Sequence, residues 1–191
     1  MRFDIYGGAE ARIYTEEHGI IPKKPQKHKA FWEDIEERCA NGLPDACGCY
    51  VFAIKSGGGI TPWYVGKAEK SPFKKECFGA HQINCYNDAL ARYEIGTPIL
   101  FFVTLLTTGG QFANPRKSGD RSIAFLERWL IGQALNKNPN LINIKDTRFL
   151  KKLVVYGLLK SPPGKPTAPQ KELRGLEKIT FPLSRSIFRR L

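Results

Sequence analysis

Runs of apolar and β-branched residues in the middle of the chain alternate with segments of helical period. Three runs have the length and composition of strands, the first two being separated by the glycines at 57–59: Cys49–Ile54, Trp63–Val65 and Ile99–Leu106. The order strand, strand, helix, strand, helix predicts an α/β sandwich, in which a central, mainly antiparallel three-stranded sheet is flanked by helices.

Three segments have helical signals. Ala30–Cys39 has the pattern of a short acidic helix that ends at Asn41-Gly42, and the segment between Pro72 and Gly96 is mostly helical with a break at Gly79. A third helix is predicted from about residue 120 to 136, with Asp120 or Ser122 as its cap. Its apolar residues recur at spacings of three and four, which places them on one face: Ile123, Leu126, Leu130 and Ala134.

These patterns divide the chain into three parts. Residues 1–42 are expected to form an N-terminal arm and a short helix, residues 43–146 the core, and residues 147–191 a basic C-terminal extension. Within the extension, the pattern of Leu153–Leu158 fits a strand or a short helix equally well. Residues 161–170 contain four prolines, which is typical of a linker or loop.

Positive charge is concentrated at the C-terminal end. The formal net charge is +12, of which residues 145–191 contribute +9, residues 45–144 contribute +4 and residues 1–44 contribute −1. A clustered positive field attracts polyanions, so DNA is the expected partner, with RNA not excluded. A solvated basic tail is the alternative, and an anionic membrane fits less well because the tail has no clean amphipathic period.

The remaining composition narrows the class of protein. The longest apolar stretch, Ile99–Val103, is too short to span a bilayer, and the N-terminus lacks the apolar region of a secretory signal, so a cytoplasmic location is expected. Five cysteines without a signal are expected to be reduced thiols. Cys39, Cys47 and Cys49 suggest zinc, but no Cys-x-x-Cys pair completes the usual spacing.

Two short strings carry the candidate chemistry. Gly48-Cys49-Tyr50 lies in the first predicted strand, and Tyr64-Val65-Gly66 lies in the second. Tyr64 follows Tyr50 by fourteen residues. Leu43-Pro44 precedes the first string and Lys67-Ala68 follows the second. Later come the Glu127 helix and the segment Pro139–Asn143. Together these landmarks resemble the GIY-YIG nucleases, in the family's order, over roughly residues 43–146.

The resemblance implies a phosphodiesterase site. Tyr50 would be the base-side phenol, Tyr64 would line the site, and Glu127 would bind one Mg²⁺ or Mn²⁺ ion. A free tyrosine has a pKa near 10, so Tyr50 needs cationic neighbours to act as a base at neutral pH, and Lys67 is placed to be one. Without the resemblance, both tyrosines would be interpreted as packing residues and Glu127 as a solvated helix residue.

One departure from the family pattern concerns its arginine. Lys74-Lys75-Glu76 stands where most members have that residue, and lysine lacks the bidentate fork of a guanidinium. Lys75, His81 and Arg92 are therefore candidates for the missing positive charge, beside Lys67.

Further residues are expected to contact nucleic acid. Asn143 matches the family's late asparagine, which is either a contact or a structural hydrogen-bonding residue, with Asn140 as a rival. Lys74, Lys151 and Lys152 are expected to meet phosphates. The sequence thus predicts a metal-dependent DNA endonuclease; the alternatives are a catalytically impaired nucleic-acid-binding protein on the same fold and an interaction protein with a basic tail. It does not indicate the oligomeric state.

Overall fold

One four-stranded antiparallel sheet forms the centre of the protein. The computed structural model describes residues 1–16, 19–23, 25–92, 96–143 and 164–177. The strands are β1 (Arg2–Arg12), β2 (Gly48–Ser56), β3 (Gly59–Ala68) and β4 (Thr97–Leu106), in the spatial order β1-β4-β2-β3. The mixed α/β class and the antiparallel sheet are as predicted, and β3 lies at one edge.

The predicted number of three strands is wrong, because the first residues of the chain form a fourth strand, β1. This strand pairs antiparallel with β4, from Arg2 opposite Leu106 to Arg12 opposite Ile99. Its register shifts after Gly7, where the backbone has a φ of 93° and a side chain would meet the carbonyl of Leu100. The adjacent glycines at 7 and 8 are typical of a turn in sequence, whereas here they form an irregularity within an edge strand.

Five α-helices complete the described part of the chain, together with a 3₁₀ turn at Leu43–Asp45. They are α1 (Pro25–Arg38), α2 (Phe73–Glu76), α3 (Ala80–Leu90), α4 (Arg121–Lys137) and α5 (Ala168–Glu177). The predicted caps agree with this: Asp120 accepts a hydrogen bond of 2.9 Å from the backbone of Ser122 at the start of α4. Helix α1 begins five residues before its predicted start.

The sheet buries both of its faces, each with a different set of helices. Tyr50, Phe52 and Phe102 pack with residues of α1, α2 and α3; Phe52 stacks on Tyr86 of α3 with ring centroids 4.2 Å apart. Cys49 and Val103 lie on the opposite face against Ile123, Leu126 and Leu130 of α4. Because successive strand residues point to opposite faces, this division fixes where each candidate side chain of β2 and β3 lies.

The chain divides into two compact units, Met1–Thr147 and Arg148–Leu191. The first contains the sheet, and β1 and α1 from the predicted N-terminal arm belong to it. In the second, α5 is described, and it begins within the predicted linker 161–170. The predicted element Leu153–Leu158 and the predicted phosphate contacts Lys151 and Lys152 lie outside the described residues. Among the described helices, none is both long and apolar enough to cross a membrane.

Candidate active site

The two motif tyrosines lie on one face of the sheet, on adjacent strands. Phe52 is directly opposite Tyr64 and Tyr50 is directly opposite Gly66, so the two phenol rings share a face. Their centroids are 6.3 Å apart. Both are buried: Tyr50 is 1% exposed and Tyr64, on the edge strand, is 9% exposed. The tyrosines of the two strings are therefore neighbouring phenols on one face of the sheet.

Gly66 is the residue that makes room for the Tyr50 ring. A Cβ atom at position 66 would lie 2.3 Å from Cζ of Tyr50, far inside van der Waals contact. The ring consequently lies across the backbone of β3, towards the edge of the sheet. Close packing also requires glycine at position 48, since a Cβ there would lie 2.2 Å from the carbonyl oxygen of Val103. Packing alone thus requires both motif glycines.

Burial moves the pKa of both phenols still further above neutral pH. Desolvation raises the pKa of Tyr50 well above its usual value, and the nearby Cys77, Tyr64 and Glu76 raise it further. Desolvation also raises the pKa of Tyr64, to about 12, while hydrogen bonding with Gln82 and Tyr50 acts in the opposite direction. In this state the two hydroxyls are hydrogen-bond donors, not bases.

Lys67 and Glu127 lie on the other face of the sheet. Lys67 is opposite Cys49, and Cys49 packs against α4, which carries Glu127. The Nζ atom of Lys67 is 3.1 Å from Oε2 of Glu127 and 3.6 Å from Oε1 of Glu69. Partial burial lowers the pKa of Lys67, but hydrogen bonds and charge interactions with Glu127 and Glu69 outweigh it, so the net shift is upward. Lys67 is a fixed cation at this site.

The donor set around Glu127 is compatible with one Mg²⁺ ion. Mg²⁺ keeps several waters and needs only one or two protein carboxylates beside substrate phosphates, and the Glu127 carboxylate is 19% exposed. Among the described residues, no group of three His, Cys, Asp or Glu side chains could hold a metal ion. Glu127 would therefore be the principal protein ligand, and Lys67 would have to share it with the ion.

The remaining cation candidates are distributed around the molecule. The His81 ring is 6.3 Å from that of Tyr64, on the phenol side, and its Nε2 is 3.7 Å from Sγ of Cys85. Arg92 lies over the Trp63 ring at 5.5 Å, and Lys75 is exposed on α2. The structure thus brings His81 to the phenols and Lys67 to Glu127, and it places neither Arg92 nor Lys75 in a described contact with either pair.

Two predicted nucleic-acid contacts have partners within the protein. Lys74 forms an ion pair of 2.5 Å with Asp45. The Asn143 amide accepts a hydrogen bond from the backbone N–H of Val65 at 2.9 Å and donates one to its carbonyl at 2.6 Å. Asn143 therefore completes the hydrogen bonding of the edge strand, as the next strand of a sheet would. Its rival Asn140 donates a backbone hydrogen bond to the Asn138 side chain.

Two residues that sequence reasoning did not single out belong to the same surroundings. Gln82 interacts with both phenols from the first turn of α3, and Glu69 is the second partner of Lys67. One sequence signal pointed to Glu69, because it lies two positions after Lys67, directly past the end of β3, where the alternation of the strand would place it on the same face. No sequence signal pointed to Gln82, because its position depends on how α3 packs on the sheet.

Comparison with known proteins gives no relative for this chain. No protein-family model, no curated protein and no solved structure matches it significantly. Function is therefore inferred from the motif residues and from the contacts they make.

Proposed function

We propose that this protein is a metal-dependent endonuclease that hydrolyses phosphodiester bonds in DNA through a GIY-YIG-type site. One observation supports it above the others: strand β3 carries Tyr64 and Gly66 on one face and Lys67 on the other, beside Tyr50 and Glu127 respectively. Residues of the nuclease-like motif from β2, β3 and α4 therefore lie against the two faces of strand β3. β3 is an edge strand, and residues 138–143 form hydrogen bonds with its outer side between Pro62 and Val65, so a substrate could approach both faces at the end of β3, around Gly66 and Lys67.

The chemistry of the proposed reaction requires an activated water, stabilisation of phosphoryl charge and a stabilised leaving oxygen. Tyr50, after losing its own proton to solvent, would accept the proton of the attacking water as a phenolate, and Tyr64 would donate a hydrogen bond to a phosphoryl oxygen. Lys67 would place positive charge near the phosphate. Glu127 would hold a Mg²⁺ ion, which when bound would supply charge neutralisation at the phosphoryl and leaving oxygens.

The role of base requires Tyr50 to lose its proton before the water attacks. Its pKa is raised by burial, so the phenol becomes a competent base only if substrate or cation binding exposes or polarises it. Gln82, which interacts with both phenols, is the residue whose displacement would open them. We therefore expect substrate binding to move the first turn of α3.

A second candidate is a nucleic-acid-binding protein without cleavage activity. The burial of Tyr50 and the position of Arg92 over Trp63, instead of beside the phenols, favour this candidate. Both candidates share a basic chain with a net charge of +12 and predict salt-dependent binding.

Nicking of supercoiled plasmid separates the two. The full-length protein is incubated with plasmid in Mg²⁺, in Mn²⁺ and in excess EDTA, and binding is measured in parallel at several salt concentrations. Cleavage with either ion that EDTA abolishes supports the endonuclease. Salt-sensitive binding without cleavage supports the second candidate, and the absence of both contradicts the two proposals.

A further inference from the structure

Helix α4 has an outer surface unlike the rest of the described protein. Phe125 is 71% exposed and Trp129 is 52% exposed, which makes them the two large exposed aromatic side chains of this helix. They are four residues apart, so they lie on the same side of the helix, one turn from each other. Apolar groups of this size at the surface commonly mark a contact site for another molecule.

The exposed residues around these rings are basic or neutral. The exposed positions of α4 combine two aromatic, three basic and two amide side chains: Arg121, Phe125, Arg128, Trp129, Gln133, Asn136 and Lys137. The one carboxylate of the helix, Glu127, is turned towards Lys67 of β3. The outer surface of α4 therefore presents aromatic rings among cations and has no acidic group, which complements a polyanion that also carries flat rings.

We propose that the outer surface of α4 binds single-stranded nucleic acid, with unpaired bases stacked on Phe125 and Trp129 and the strand's phosphates near Arg121 and Lys137. Aromatic platforms among cations are how proteins bind unpaired strands without reading their sequence. The inference deepens the proposed function and rests on it for the choice of a nucleic acid as the ligand. It names the substrate class as one with unpaired nucleotides beside the scissile bond.

The spacing of Phe125 and Trp129 along the helix axis favours an unpaired strand over a duplex. Four helical residues span about 6 Å along the axis, from a rise of about 1.5 Å per residue. Neighbouring bases in duplex DNA are only about 3.4 Å apart along each strand. Bases that contact both rings are therefore drawn apart from each other, which an extended single strand tolerates and a stacked duplex does not.

Tryptophan emission provides a direct test, because Trp32 and Trp63 are 8% and 5% exposed and Trp129 is the accessible one of the chain's three. The full-length protein is titrated with oligothymidine, with a duplex of equal length and with an abasic oligonucleotide of equal charge. We expect quenching and tightest binding with oligothymidine. Phe125→Ala and Trp129→Ala should each weaken that binding, measured by anisotropy, by roughly 5- to 150-fold, the range that stacking of one base contributes.

Tyr14→Ala is the matched control. Tyr14 is 53% exposed and has the Lys27 ammonium 4.5 Å above its ring, so it is an exposed aromatic beside a cation that lies outside α4. This variant should bind oligothymidine as the wild type does. Equal binding of the abasic oligonucleotide, or unchanged affinity of both α4 variants, would overturn the inference.

Two further readouts complete the test. A wild type that self-associates in sedimentation, and that Trp129→Ala converts to monomers, would show that α4 is a contact between copies of the chain and would overturn the inference.

Plasmid nicking separates the inference about α4 from the proposed function. Cleavage that survives while the α4 variants bind oligothymidine normally contradicts this inference alone. Quenching without cleavage supports this inference and contradicts the endonuclease.

Discussion

The polar side chains on the two faces of the sheet differ in how far they are buried. On the face covered by α1, α2 and α3, the hydroxyls of Tyr50, Tyr64 and Tyr86 are buried among apolar groups, and desolvation raises the pKa of all three. On the face covered by α4, Lys67 and its two carboxylate partners keep between 18% and 33% of their side chains exposed and form ion pairs. The face of the tyrosines, the phenol face, thus carries neutral donors, and the face of Lys67, Glu69 and Glu127, the ionic face, carries ion pairs.

The comparison shows that one edge strand can contribute side chains to both faces. Residues alternate along β3, so that Tyr64 and Gly66 belong to the phenol face and Lys67 to the ionic face. A catalytic site that uses both sets must be assembled around the end of β3 that carries Gly66 and Lys67, beyond the part that Asn143 covers. Substitutions that remove a side chain from one face and leave the other intact therefore show what each face contributes.

The largest effect is expected on the ionic face. Glu127→Gln should reduce cleavage of plasmid to background in Mg²⁺ while leaving DNA affinity nearly unchanged, because the lost charge would anchor the metal and not contact phosphate. Glu69→Gln is the matched control, since it also removes one partner of Lys67. It should retain most of the activity, and equal loss in the two variants would remove the special role of Glu127.

On the phenol face, Tyr50→Phe removes a hydroxyl and keeps the ring that lies over Gly66. Cleavage should fall by about 10²- to 10⁴-fold, the usual contribution of a proton-transfer group, with an unchanged melting temperature. Tyr86→Phe removes another hydroxyl that is fully buried and has no hydrogen-bond partner in the described structure. It should leave the rate unchanged, and a rate within a few-fold of wild type for Tyr50→Phe would make Tyr50 a packing residue.

The pH dependence of stability should report the burial of Tyr64. Its pKa is about 12 in the folded protein against 10.0 for the free group. The stabilisation from the neutral phenol is complete below pH 10 and is lost as the pH rises to about 12, by roughly 3 kcal/mol. Tyr64→Phe should therefore lose less stability than the wild type over that interval in denaturant unfolding. Identical curves would mean that Tyr64 is not desolvated.

Gly66→Ala tests the contact that lets the Tyr50 ring cross β3. The new methyl group would collide with the ring, so the free energy of unfolding should fall by about 1–3 kcal/mol, as for overpacked cores. Gly132→Ala on α4, where a Cβ meets nothing within 4 Å, should instead stabilise the protein by up to about 1 kcal/mol. A neutral Gly66→Ala would show that the ring does not need this space.

Local signals predicted much of the fold. The caps and periods of α4, and the apolar runs of β2 and β4, depend on neighbours in sequence, so the elements lie close to their predicted positions. Strand β1 was not predicted, because Gly7-Gly8 suggests a turn and only pairing with β4 shows it as a strand.

The candidate site was predictable as a set of residues but not as an arrangement. Tyr64 and Lys67 are three positions apart, an odd separation, which on a strand already implies opposite faces. The contribution of Gln82 depends on the packing of α3 against the sheet, and no short-range pattern carries that information.

The central claim, that the phenol and ionic faces form one catalytic site around β3, is tested most directly by a double-mutant cycle. Single-turnover cleavage is measured for the wild type, Tyr50→Phe, Lys67→Met and the double variant, in Mg²⁺ and at saturating DNA; Lys67 represents the ionic face because Glu127→Gln, at background, leaves no rate to compare. Residues that act as a unit lose their effects non-additively. The double variant should therefore cleave no more slowly than the slower single variant. Rate losses that multiply would contradict a shared site, as would a wild type that does not cleave.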